Sequence, residues 1–270
     1  MEEFGKWLHA QDSSAGTISQ YTRSAAALMK WLGGRKLTGE RLIEWKEHLS
    51  ETGYKPVTIN AMLAAVNAYC AFCRINLKVK YLRVQRRLYR DEKRDLSKEE
   101  YLKLINAAED KGDRRLALLI ETIGATGIRV SEVRFITLEA AQAGRTQIAL
   151  KGKIRDILLP KQLCRKLIKY AKQQNIASGE LFVTRSGKSL SRKQIWAEMK
   201  AICASAHIES TKVFPHNLRH LFAKVYYRAQ RDISKLADLL GHSSIETTRI
   251  YLISSGLEHV RQIEELGLVV

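Results

Sequence analysis

"HNLRHLFAKVYYRAQRDISKLADLLGHSSIETTRIYL", residues 216–252, holds three histidines, several arginines and a tyrosine near its end. On a helix, His216 and Arg219 stand one turn apart on the same side. Gly241-His242 then breaks the helical pattern as a turn, and Tyr251 follows nine residues after His242. His216-x-x-x-His220 has the spacing of a helical zinc pair, but Asn217 occupies the place where the metalloprotease H-E-x-x-H pattern needs glutamate. No acidic cluster suited to a two-metal nuclease is evident. No G-x-S-x-G is present, and Ser243 and Ser244 suit a helix N-cap better than a hydrolase triad. A phosphodiester target uses more of these residues at once. Its pentavalent transition state needs cations on the non-bridging oxygens, a nucleophile, and an acid for the leaving oxygen. The planar donor fork of arginine suits the first task. "ATGIRVSE" adds Arg129 just after a glycine turn. Tyrosine can act as a covalent nucleophile, but with an ordinary pKa of about 10 it needs positive charge or a base nearby.

The bulk properties agree with an anionic partner. The chain has 270 residues and a formal net charge of +18. Such a charge repels itself in a compact fold and is expected where the partner is a polyanion, nucleic acid before an acidic membrane surface. No apolar run of about 18 residues is present, so no transmembrane helix is expected. "MEEFGKWLHAQDSS" is too polar for a signal peptide. Cys70 and Cys73 form a C-x-x-C inside an apolar helical stretch, without the second pair that a zinc site wants. They read as buried structural thiols, and the cysteines as a whole, Cys164 and Cys203 included, suit a reducing, cytoplasmic setting.

Few breakers and many helix formers predict a mainly α protein with a small β-hairpin. Residues 1–77 read as four helices with short loops, stopped at Gly33-Gly34 and Gly53 and restarted at Pro56. Residues 78–94 carry eight basic residues against Asp91 and Glu92 and read as a basic linker. Within it Lys80, Arg83, Arg86, Arg87 and Arg90 are candidates for phosphate contacts. A second domain, 95–270, opens with a capping box at Ser97 and Glu100. "DRRLALLIETIGATGIRVSEVRFITLEAA" reads as helix, turn at Gly124 and Gly127, and helix. "QIAL" and "RDILLP" read as a hairpin turning around Gly152, and "GELFVTRSGKSLS" as a short strand and turn.

In order along the chain, "ATGIRVSEV", "LKGKIRDILLP", "FPHNLRHLFA" and "LLGHSSIETTRIYL" resemble the boxes of the tyrosine recombinases, the phage integrase and Xer-like family. The resemblance covers residues 124–252 closely and the N-terminal bundle more loosely. It implies a SAM-like core-binding bundle and an α-rich catalytic domain that clamp double-stranded DNA. It implies that Tyr251 attacks the scissile phosphate to give a 3′-phosphotyrosyl link, with no metal, ATP or other cofactor. Arg129 and Arg219 then stabilise the phosphorane, and Lys151 protonates the leaving 5′-oxygen, with Lys153 as the alternative. His216 gives acid–base help, His242 hydrogen-bonds a phosphate oxygen, and Glu132 supports the site. His220 has no catalytic part in the pattern and reads as structural, and Tyr226 and Tyr227 as packing residues.

The implied activity is site-specific strand exchange through a Holliday junction by a homotetramer on two sites. A monomer in solution and accessory DNA-bending proteins are compatible with it. Without an evident arm-binding domain ahead of the bundle, a simple Xer-like enzyme is expected. The apolar stripe of Leu257, Val260, Ile263 and Leu266 serves either as a helix packed on its own domain or as a tail exchanged between protomers. The rival functions are a type IB topoisomerase-like enzyme and a DNA-binding protein without catalysis.

Overall fold

The computed structural model describes residues 1–84, 94–150, 153–242, 244–251 and 264–268. The chain divides into two compact units, Met1–Arg86 and Arg87–Val270.

The first unit is built from α1 (Glu2–Ala10), α2 (Ala15–Leu32), α3 (Gly39–Glu51) and α4 (Pro56–Phe72). The starts and stops follow from the sequence. The side chains of Ser14 and Thr38 cap α2 and α3, and Pro56 opens α4, where its missing N–H costs nothing. Leu28, Leu42, Trp45, Ile59 and Leu63 fill the centre of the bundle, each contributing about 1.5–3 kcal/mol by burial. Phe4 of α1 docks edge-on against Tyr69 of α4, 5.1 Å between ring centres. Beyond α4 the chain stays on the bundle. Asn67 exchanges two hydrogen bonds with the backbone of Val79, and Asn60, two turns earlier, does the same with Leu82. Val79 is thereby turned into the bundle, while Lys80 and Arg83 are left exposed.

The second unit begins with α5 (Lys98–Asp110), whose capping box at Ser97 and Glu100 forms as expected. Next come α6 (Arg114–Thr126), a 3-10 helix (Val130–Phe135) and α7 (Leu138–Ala143). The hairpin of β1 (Arg145–Leu150) and β2 (Lys153–Leu158) follows, then α8 (Lys161–Gln173) and α9 (Arg192–Ala201). Last are α10 (Pro215–Gln230), α11 (Ile233–Leu240) and α12 (Ile245–Arg249). No described helix is long and apolar enough to cross a membrane. α6 is the central rod. It packs against α5, α8, α9 and α10, and its residues are buried on every side, from Leu116 through Thr126. Its Thr122 and Thr126 hydroxyls donate back to the carbonyls of Leu118 and Thr122, so two polar groups are buried without loss.

The hairpin is antiparallel, with Ile148 opposite Arg155 and Thr146 opposite Ile157. Ile148 and Ile157 point inward and Ala149, Ile154, Asp156 and Leu158 outward, the period of two that a half-buried strand requires.

Four local expectations change. Gly124 is not in the turn but inside α6, where a Cβ would lie 2.5 Å from the Tyr101 ring. The stretch after Gly127 is not one helix, because the chain tightens to 3-10 geometry and restarts at the Thr137 cap of α7. The "LFVTRSGKSL" region forms only isolated bridges, Thr137 with Glu180 and Val183 with Ser189, around a turn at Gly187. Cys70, Cys164 and Cys203 are buried, but Cys73 is exposed at the end of α4. Gly152 and residues 252–263, which contain most of the apolar tail, lie outside the described residues.

Gly127 caps α6 in the left-handed region at φ +62°, and a Cβ there would lie 2.5 Å from Phe222 and 3.0 Å from Leu240. Gly127→Ala combines backbone strain with overpacking and is expected to destabilise the chain by about 2–4 kcal/mol in urea unfolding.

Candidate active site

The end of α11 organises the site. Gly241 takes φ +62°, and the N–H groups of Gly241 and His242 turn back to the carbonyls of Asp238 and Ala237. This Schellman arrangement leaves the next three carbonyls without a helical partner. Each accepts from a different arginine. Leu239 O takes Arg155 Nη1 at 3.3 Å, Leu240 O takes Arg219 Nη2 at 2.6 Å, and Gly241 O takes Arg129 Nη2 at 3.1 Å. Three cations thus converge on the negative end of one helix. Gly241 permits the approach, since a Cβ there would meet Arg155 Cδ at 2.3 Å.

Glu132 ties two of these arginines together. Its carboxylate is 2% exposed and accepts from Arg129 Nη1 at 2.9 Å, Arg155 Nη2 at 2.7 Å and the Arg129 backbone N–H at 2.8 Å. The sequence spacing explains the geometry. Arg129 leaves α6 through the Gly127 turn, and Glu132 is the third residue of the 3-10 helix that follows.

Arg219 is 2% exposed on α10. Besides Leu240 O, its guanidinium donates through Nη1 to Gly127 O and through Nη2 to His242 Nε2 at 2.9 Å. It therefore spans the C-terminal turns of α6 and α11. Burial, followed by the nearby Arg129, pulls its pKa down to about 10, while a hydrogen bond and the charge of Tyr251 act the other way. It still carries its charge at neutral pH.

The tautomer of His242 follows from these contacts. Arginine only donates, so His242 Nε2 accepts and Nδ1 carries the proton, donating to Thr248 Oγ1 at 2.8 Å. Burial and then the charges of Arg219, Arg129, Arg155 and His216 push the His242 pKa down to about 4. The ring is neutral at physiological pH.

Tyr251 is buried just beyond α12 among three imidazoles. His242 stacks on it at 5.5 Å with a 7° tilt. His216, exposed at the start of α10, lies 5.5 Å away, and His220, buried one turn later, 5.4 Å away. Tyr226 and Tyr227 pack with Leu236 and Leu240 in the same small cluster, as expected.

Arg129, Glu132, His216, Arg219, His242 and Tyr251 therefore lie in one connected set. Lys80 and Arg83 belong to the first unit. Lys151, Arg86, Arg87, Arg90 and the side chain of Lys153 lie outside the described residues. Sequence reasoning missed Arg155 and the closeness of His220 to Tyr251. Arg155 had a signal, because it is in phase with Ile157 on the inward face of β2, where a charge needs a buried partner. His220 had a weaker one, its i+4 spacing from His216.

The phage integrase family model matches residues 94–256. The tyrosine recombinase XerA of Thermococcus kodakarensis is 30% identical over 274 residues, covering 98% of this chain and 94% of its own length. The fold resembles that of the XerH site-specific recombinase bound to palindromic difH substrate in a post-cleavage complex. The TM-score is 0.72 at 20% identity, over 95% of this chain and 82% of that one. A lambda integrase tetramer bound to a Holliday junction gives a TM-score of 0.69 at 18% identity, over 93% and 75% of the two chains.

Two outcomes are expected from this geometry. Arg155→Ala removes one of two cations from a buried carboxylate and should cost about 3 kcal/mol in urea unfolding. His242 binds its proton far less readily folded than unfolded, where its pKa is about 6.5. Its contribution to stability is therefore present above about pH 6.5 and lost as pH falls towards about 4. His242→Gln should flatten the stability profile in that window, read by urea midpoints at stepped pH.

Proposed function

The chain belongs to the phage integrase family and is a tyrosine recombinase; from that premise we propose that it is a site-specific DNA recombinase with Tyr251 as its nucleophile. The observation that carries this reading is the excess of positive charge beside a buried tyrosine. Arg129, Arg155 and Arg219 gather at the end of α11, and Glu132 is the carboxylate that binds two of them. Burial first, and then the charges of these arginines, depress the His242 pKa, in keeping with that excess. Such a place favours a phosphate diester, whose charge grows in the transition state.

Tyr251 Oη attacks the scissile phosphorus as its proton passes to a base. The P–O bond to the 5′-oxygen breaks, leaving a 3′-phosphotyrosyl ester and a free 5′-hydroxyl. His216, against the Tyr251 ring and open to solvent, is the group placed to take the proton. Arg129, the more exposed of the two arginines carried over from the family pattern, and Arg219 receive the phosphorane oxygens. Lys151 supplies the proton to the leaving oxygen, with Lys153 as the alternative. Attack by a 5′-hydroxyl from a second duplex reverses the step with exchanged strands, and no external energy source enters. His242 Nε2 carries no proton while it accepts from Arg219, so it donates to a phosphate oxygen only once it has taken one up. Entry of the anion offsets the charges that depress its pKa and frees Arg219 to turn from Nε2 towards phosphate oxygen.

Residues 1–77 form a core-binding domain on the duplex, 78–94 a basic strap along its backbone, and 95–270 the catalytic domain. The exposed Lys80 and Arg83 support the strap. A tetramer on two sites is the working unit, a reading supported by the lambda integrase tetramer bound to a Holliday junction. A cytoplasmic location is part of this reading, and the DNA partner and the free cysteines support it.

Incubation with nicked duplexes of randomised sequence, followed by recovery of covalent adducts, tests this and yields the preferred site. Tyr251→Phe should abolish the adduct while duplex binding persists. An adduct that survives Tyr251→Phe contradicts the nucleophile, and relaxation of supercoils without junction formation contradicts strand exchange.

A further inference from the structure

His220 is the side chain against Tyr251 that the phosphodiester chemistry leaves without a role. It is 2% exposed, and simple packing of that space needs no polar ring. Its ring centre is 5.4 Å from that of Tyr251, at 52°, while Nδ1 lies 3.8 Å from Asp95 Oδ1. The other carboxylate oxygen of Asp95 binds Lys224, and Asn217 donates to the carbonyl of Arg94 at 2.8 Å. Three residues on one side of α10, at positions 217, 220 and 224, therefore hold the two residues that lead into α5. Among the described residues, the backbone support of Tyr251 is local. Tyr251 follows a five-residue helix, and its N–H bonds to Thr248 O within that turn. Its ring is placed by the walls around it, and His220 is the wall on the α10 side one turn beyond His216.

We propose that Asp95 and His220 form a positioning pair for Tyr251: the carboxylate, within ion-pair reach of Nδ1 at 3.8 Å though beyond hydrogen-bond length, orients the imidazole electrostatically, and the imidazole sets the ring of the nucleophile. The pair also joins the residues that lead into α5 to the reacting residue. A small misplacement of a nucleophile suffices to slow attack strongly. The proposal rests on the reading of Tyr251 as nucleophile. It assigns His220 no contact with DNA, so its loss affects the rate of attack and not binding.

The test is single-turnover adduct formation by the full chain at saturating concentration of the nicked duplex that the wild-type chain traps, beside the Kd for that duplex. Asp95→Asn and His220→Phe should each slow adduct formation by about tenfold or more, with Kd within about twofold of wild type. The double variant should be no slower than His220→Phe, because both changes break the same path. Lys224→Met removes the other partner of Asp95 but leaves the carboxylate in place, and should slow adduct formation less than Asp95→Asn. Asp95→Asn conserves shape and carries the test even if His220→Phe does not fold. A wild-type rate in Asp95→Asn or His220→Phe, losses that multiply in the double variant, or an equal loss in Lys224→Met overturns the pair. Such results leave Tyr251 as nucleophile so long as its adduct forms. A wild-type chain that forms no adduct, or one that survives Tyr251→Phe, overturns the nucleophile reading and this inference with it.

Discussion

Three consecutive carbonyls at the end of α11, each bound by a different arginine, are the constraint on which the rest of the site depends. The arginines come from three places in the chain, the turn after α6, strand β2 and helix α10. None could bring its charge so near the others without compensation, and bare burial of a guanidinium is costly. The helix end supplies part of that compensation, because its unpaired carbonyls carry the negative pole of the helix dipole. Glu132 supplies another part for Arg129 and Arg155. Positive charge still predominates, and it adds to burial in depressing the pKa values of Arg219 and His242. A fold that holds cations together by backbone dipoles rather than matching carboxylates keeps them able to bind an incoming anion.

The same arrangement explains why the two glycine turns matter. Gly127 and Gly241 both take left-handed conformations, and both are approached too closely for a Cβ. The first exposes the carbonyl that Arg219 Nη1 binds, and the second lets Arg155 lie across the helix end. Arg219 thereby joins the C-termini of α6 and α11, and the all-round burial of α6 fixes one of those ends in the core. Rigidity of the core is passed to the site through hydrogen bonds to backbone, which move only if a helix moves.

Much of this was legible in the sequence. The arginines, histidines and tyrosine of the opening stretch suited a phosphodiester, and the resemblance of four ordered boxes to the tyrosine recombinases implied a role for each. Helix starts were legible where a side chain closes a local loop, as at Ser97 and Glu100. The partner of a charge was not legible where it is a carbonyl more than twenty residues away, as for Arg219 and Leu240. Arg155 was passed over because hairpin arginines are usually solvated, and only its phase with Ile157 marked it as inward. Gly124 was misread because a glycine near a turn and a glycine under an aromatic ring look alike in one dimension. His220 read as structural because the family pattern gives it no catalytic part, and helical spacing does not show Tyr251 or Asp95 beside it.

The central claim is that this charge cluster directs a phosphate to Tyr251. Trypsin digestion of the covalent complex, followed by mass spectrometry, tests it most directly. Cleavage after Arg249 and Arg261 yields one peptide, residues 250–261, in which Tyr251 is the sole tyrosine. The account predicts that this peptide carries nucleotide through a 3′-phosphate on Tyr251. Nucleotide on another residue, or a 5′-phosphate linkage, would contradict it.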